Sequence, residues 1–264
     1  MTGFPVPVDG LPQIASAQIV GFMLVMARIG PLFMLAPVFS SRMIPGRVRA
    51  MVAMAIALVL APVANHGQHL PTDSLAVTPL FVKEVTVGLA FALAVGVLAS
   101  AVQAAGSLLD TLVGFSFGAL IDPFDNSPAA ILGQLYSIFA TMIFLLTGGD
   151  HIMIMGLAKS YDIVPLGKVP AVSHLAALAT TDLTSVLVVG LEIAAPVMIA
   201  LLLADIAFAL VSRAVPQMNV FAVGLPAKVL IGFATVAASL PFLATHLQDQ
   251  LQEFVLRALL AFKA

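Results

Sequence analysis

Gly114-Phe115-Ser116-Phe117-Gly118 spells G-x-S-x-G, the pattern in which a serine nucleophile sits on a strained strand-to-helix turn. That chemistry also needs a downstream acid and histidine. Here the residues before Ser116 read as helix, and His151, His174 and His246 stand in no context that would make any of them its base. Asp150 in "GGD" and Asp162 in "YD" have the residue types of presenilin-type intramembrane proteases. In those enzymes the YD aspartate comes first and the two lie on separate helices; here the order is reversed within one stretch. His66 and His69 have a spacing some metal sites use, but no carboxylate or third ligand accompanies them. With no cysteine, thiol catalysis, disulfides and zinc-thiolate sites are excluded, and no phosphate-binding glycine loop is present. The sequence supports no enzyme, and no cofactor or metal is expected.

A second set of reactive types is more unusual. Arg28, Lys83, Glu84, Asp110, Glu192, Asp205 and Arg213 lie within or at the ends of long apolar stretches. A charge at the centre of a bilayer costs at least ~2.5–3.5 kcal/mol, so such residues face a partner or a wet cavity. Helical geometry argues against one relay. Glu192 and Asp205 face directions about 220° apart, Asp205 and Arg213 about 80°, and Glu84 and Asp110 would be about 39 Å apart along one helix. This scatter suits salt bridges between subunits better than an ion pathway. An ion or small-molecule transporter using Glu192, Asp205 and Arg213 is the alternative.

The elements that must carry these residues follow from composition. Of 264 residues, 61% are hydrophobic and only 9% charged, with mean hydropathy +1.12; soluble domains carry roughly a quarter charged residues. Such a chain is embedded in a membrane or in a large assembly. A net charge of −2 without a basic run leaves no footprint for nucleic acid. No polar linker divides residues 1–264, which read as a single domain. The first positive residue is Arg28, so the first apolar stretch lacks a signal peptide's basic start and is expected to remain in the mature protein.

Apolar runs predict an all-α fold of six helices: about Leu11–Ala36, Val48–Ala64, Thr78–Gly114, Pro128–Leu146, Asp182–Val215 and Pro226–Phe262, the last broken near Pro241. The third, at roughly 60 Å, is twice a bilayer core and must break, tilt steeply or project. Residues 148–173 read as a loop of mixed polarity. Gly88, Ala92, Gly96, Ser100 and Ala104 form a small-residue row that would admit a neighbouring helix, as would Ala53, Ala57 and Ala61. If every helix crosses once, Arg42, Arg47, Arg49, Arg213 and Lys228 balance Lys83, Lys159, Lys168, Arg257 and Lys263, so orientation is not readable. There is no Trp, and the two Tyr are Tyr136 and Tyr161. The charge tie and the missing aromatic belt hint that these helices are not ordinary lipid-facing spans.

Five segments in order carry a family resemblance: "ARIGPLFMLAPVFSSRMIPGRVR" (Ala27–Arg49), "KEVTVGLAFALAVG" (Lys83–Gly96), "IDPF" (Ile121–Phe124), "LTGGDH" (Leu146–His151) and "SRAVPQMNVFAVGLPAKVLIG" (Ser212–Gly232). The chain resembles the flagellar biosynthetic FliR family of the type III protein export apparatus, over nearly its whole length. The R-x-x-P-Q-x-N-V-F-x-x-G-x-P-x-K string, Arg213 to Lys228, is the most specific part. One departure is Asp150, which separates the glycines from His151.

The resemblance implies a non-enzymatic, multi-pass component of the bacterial inner membrane and the flagellar basal body. Its long, broken helices and hairpins would assemble with FliP and FliQ into an export gate, with FlhB at the entrance. Unfolded flagellar subunits would pass through, and surrounding lipid is the other contact. The equivalent subunit of a virulence secretion system is the nearest alternative. The resemblance also places a plug loop at Gly114–Asp122. There Gly114 and Gly118 would act as hinges, Phe115, Phe117 and Leu120 as bulky faces, Ser116 as a small polar residue, and Asp122-Pro123 as a stop. In the second motif, Pro216 is expected to interrupt a helix and Gln217 and Asn219 to bond exposed backbone. Gly224 and Pro226 would restart the chain, with Arg213, Phe221 and Lys228 in the same interface element.

Overall fold

Helix is the economical state for these sequences, because it satisfies each backbone donor and acceptor within its own segment whatever surrounds it. The computed structural model describes residues 11–36, 45–65, 70–115, 130–167, 173–217 and 219–262. Among them lie seven helices and no strand: α1 (Leu11–Leu35), α2 (Gly46–Ala64), α3 (Ser74–Val113), α4 (Ile131–Leu146), α5 (Gly149–Ile163), α6 (Ser173–Ala214) and α7 (Val220–Leu260). Parts of α1, α2, α3, α6 and α7 are each long and apolar enough to cross a membrane.

The chain groups into two compact units. The first draws on Met1–Gly96, His151–Thr180 and Phe254–Ala264. Its core joins Leu24, Ile29 and Phe33 of α1 to Val87 and Phe91 of α3, Met153 and Leu157 of α5, and Phe254 of α7. Helix α2 packs on α1 and buries only Ala53, Ala57, Ala61 and Ala64; the first three are the small-residue row expected there. The second unit draws on Val97–Asp150 and Thr181–Glu253, with Leu109, Leu132, Tyr136, Ile193, Val197, Leu201 and Leu251 at its centre.

Three expectations need correction, and a fourth, for α3, narrows. Residues 149–163 are a helix, not a loop. Its buried residues Met153, Leu157, Ser160 and Tyr161 repeat at helical spacing, but 15 residues are too few to look like a bilayer span. Helix α3 stays unbroken for 40 residues, so a steep tilt or projection is what its length leaves. Helix α7 continues through Pro241. A proline removes one donor, and the Thr245 hydroxyl bonds the Pro241 and Phe242 carbonyls at 3.3 and 3.0 Å. The break before α7 is also shorter than expected: α6 ends at Ala214 and α7 begins at Val220, so Phe221, Gly224 and Pro226 are already helical.

The small-residue row on α3 is used only in part. A Cβ on Gly88 would strike the backbone carbonyl of Arg28, whereas at Gly96 it would meet nothing. Other close approaches fall outside the row. A Cβ on Gly106 would lie 2.5 Å from the Gly133 Cα, and one on Gly190 would lie 3.1 Å from the Ala101 carbonyl oxygen.

Candidate functional site

In the first unit the tight crossing of α1 and α3 at Gly88 has an electrostatic consequence. One turn before Gly88 on α3 stands Glu84, and Arg28 is fully buried against it. The Arg28 Nε donates to Glu84, Nη1 to Ser160 Oγ at 2.9 Å and Nη2 to the Val164 carbonyl at 2.8 Å. Its guanidinium carbon lies 4.0 Å from the centre of the Tyr161 ring, a cation–π contact. Lys83 pairs with the other Glu84 oxygen and donates to the carbonyls of Pro165 and Leu166 at 3.0 and 3.1 Å.

Two cations thus share one carboxylate. The surplus positive charge is directed at the three carbonyls that follow α5, where a helix presents its negative end. One network fastens α1, α3 and the end of α5.

The second unit holds three separate arrangements. Asp205 of α6 pairs with Lys228 of α7 at 2.8 Å, and Glu192 of α6 with His246 of α7 at 3.2 Å. The imidazole also stacks on Phe242, with ring centres 5.4 Å apart. Asp110, near the end of α3, is buried. It accepts the backbone N–H groups of Leu132 and Gly133 at 2.8 and 3.0 Å.

A cavity of about 450 Å³ lies beside the Asp205–Lys228 pair. Its walls include Thr111 and Gly114 at the end of α3, Phe208 and Ser212 of α6, and Gly224 of α7. Gly114, Asp205 and the motif residues Gly224 and Lys228, three separate signals in the sequence, therefore meet around one space.

The other expected residues are placed as follows. Gly114 adopts φ 103°, open to glycine at little cost. The Phe115 ring meets Phe233 edge-on, centres 6.4 Å apart. Ser116, Phe117, Gly118, Leu120, Asp122 and Pro123 lie outside the described residues, as do His66 and His69. Arg213, Pro216, Gln217 and Asn219 are exposed; the Asn219 side-chain oxygen accepts the Ala222 N–H at 3.2 Å, capping the first turn of α7. Asp150 and Asp162 sit at opposite ends of α5.

The expectation of salt bridges between subunits needs correction: Arg28, Lys83, Glu84, Glu192 and Asp205 find ionic partners, and Asp110 backbone donors, within this chain. Helical angles compare residues on one helix. Lys228 and His246 come from the next helix, and Ser160 and the carbonyls at 164–166 belong to a segment read as loop. The surplus of cations over carboxylate at residues 28, 83 and 84 was the available signal that acceptors must come from elsewhere.

Long apolar helices that pair their buried charges within the chain fit a multi-pass membrane protein. The sequence pattern of the bacterial export proteins, family 1, matches residues 19–254, and the chain belongs to that family. It is 30% identical to flagellar biosynthetic protein FliR of Bacillus subtilis (strain 168) over 215 residues, 80% of this chain and 83% of that protein. Identity to FliR of Escherichia coli (strain K12) is 29% over 227 residues, 86% of each chain. Surface presentation of antigens protein SpaR of Salmonella typhimurium (strain LT2) is 30% identical over 204 residues, 76% of each. The chain is a component of a type III export apparatus.

Proposed function

We propose that this chain is a gate subunit of the flagellar export apparatus in the inner membrane, working over its whole length as one non-enzymatic element. It assembles with FliP and FliQ homologues around a pore for unfolded flagellar subunits, with an FlhB homologue at the entrance. The observation that carries this reading is the contrast between satisfied charges and bare apolar faces. Leu183, Leu187, Ile199, Leu203, Ile206 and Leu210 of α6 are all more than half exposed, while Arg28, Lys83 and Glu84 are withdrawn. Such faces call for neighbours or lipid.

The charges fall into separate pairs and networks on different helices, which favours structural pairing over a transport relay. Residues 114–122 act as the plug, and residues 213–228 form an interface element. The flagellar reading draws on FliR relatives aligned over up to 88% of this chain. Similarity to SpaR supports a second reading, the equivalent subunit of a virulence system, which neighbouring genes for hook and rod or for needle parts would separate. Deleting residues 114–120 from the assembled complex tests the plug: the complex should still form and become leaky to small ions. Unchanged ion permeability would remove this assignment.

A further inference from the structure

Helix α2 differs from the other long helices in what it turns outward. Its 19 residues span about 28 Å, close to the ~30 Å of a bilayer's hydrocarbon, whereas α3, α6 and α7 run to 40, 42 and 41 residues. From Ala50 to Ala64 no side chain carries an oxygen or nitrogen. Met51, Met54, Leu58, Val59 and Val63 are all more than half exposed. At about 100° per residue, the exposed positions sweep roughly half of the helix circumference.

A neighbouring helix or lipid could cover such a face, and the residue types separate the two. Helices approach one another in membranes over small side chains. Helix α2 gives its small row, Ala53, Ala57, Ala61 and Ala64, to α1 and presents bulky side chains elsewhere. One helix also covers a narrow strip, as α1 does, and not half a cylinder. The outward side of α6 holds Glu192 and Asp205, both about half exposed, which lipid would accept only at high cost. Helix α2 turns no such group outward along this stretch.

The polar end of α2 is its start. Arg47 is exposed and Arg49 half-buried, and no acidic residue occurs between Asp9 and Asp73. Cations are disfavoured in a helix's first turn, where the N–H groups present positive charge, and Pro45 supplies no side-chain cap. An anion placed there meets the arginine and the helix end together. Lipid phosphates lie at that depth once the apolar face is in the hydrocarbon.

We infer that α2 is a lipid-facing helix of this chain, its outer half immersed in the bilayer and Arg47 set among anionic phospholipid headgroups. The inference rests on the membrane location proposed above, and not on the pore or the plug.

The test uses the whole export complex, reconstituted in vesicles of phosphatidylethanolamine with a minority of phosphatidylglycerol. A photoreactive amino acid replaces Leu58, Val48 or Val63, one at a time, and the adducts are identified by mass. Leu58 should yield phospholipid adducts and none to another subunit. One arginine near an anionic surface confers about a fivefold preference. Adducts at Val48 should therefore carry about five times the phosphatidylglycerol share found at Val63, at the far end of α2. Arg47→Gln should abolish this difference and Arg47→Lys should keep it; if Arg47→Gln does not assemble, the two ends of the unsubstituted complex still decide. Adducts from Leu58 to a neighbouring subunit, equal shares at the two ends, or enrichment that survives Arg47→Gln overturn the inference and leave the membrane location standing. Release of the chain from native membranes by alkaline carbonate would remove that location itself.

Discussion

The first unit keeps one charge network, Arg28, Lys83 and Glu84, dry and densely bonded, whereas the second keeps two of its pairs half in the open. Arg28 and Glu84 have no exposed side-chain surface; Asp205 and Glu192 are 45% and 48% exposed. Buried ions cost several kcal/mol each to desolvate, and the pair returns this only when its remaining donors and acceptors are met. The Arg28–Glu84–Lys83 network meets that condition with Ser160, Tyr161 and three carbonyls, so the first unit reads as a fixed anchor. The pairs of the second unit are half open, and one of them borders a cavity that also touches Gly114.

Breaking the anchor should give the largest effect. Glu84→Ala leaves two buried cations without a carboxylate, a change that costs roughly 3–5 kcal/mol. The complex should fail to accumulate, which immunoblotting of membranes would detect. Gly88→Ala comes next, because its methyl meets the Arg28 carbonyl, a backbone atom that cannot swing aside. Overpacking of this kind costs about 1–3 kcal/mol, read as a lower thermal midpoint of the detergent-solubilised complex.

The open pairs should respond weakly. Asp205→Asn is expected to cost ~0.2–1 kcal/mol, the range of exposed ion pairs, and to leave assembly intact. The mildest change is expected from Glu192→Gln, which keeps shape and hydrogen bonding opposite His246; its thermal midpoint should match the unsubstituted complex. A double-mutant cycle sharpens the comparison: coupling between residues 28 and 84 should exceed that between 205 and 228. Equal coupling would erase the distinction between the units.

Much of this was readable in the chain. The long apolar runs locate α1, α2, α3, α6 and α7 because charge is excluded from them, and the alanine row identifies the buried side of α2. Gly114 at the end of α3 was legible because only glycine enters its backbone region freely. The rest was hidden by contacts between helices. Helix α5 mixes polar and apolar residues because it buries one face and offers three carbonyls from its end. Asp110 looked like a stray charge, since its partners are backbone groups 22 and 23 residues away. Pro241 looked like a break and Pro226 like a helix start, but a helix can lose one donor and continue through both.

On the function proposed above, the exposed apolar face of α6 is covered by other subunits around a protein-conducting channel. Affinity purification of the tagged chain from membranes in mild detergent, with the mass of the intact particle measured, tests it most directly. The expected result is a large particle containing FliP and FliQ homologues in fixed ratio. A stable monomer carrying only detergent and lipid would contradict it.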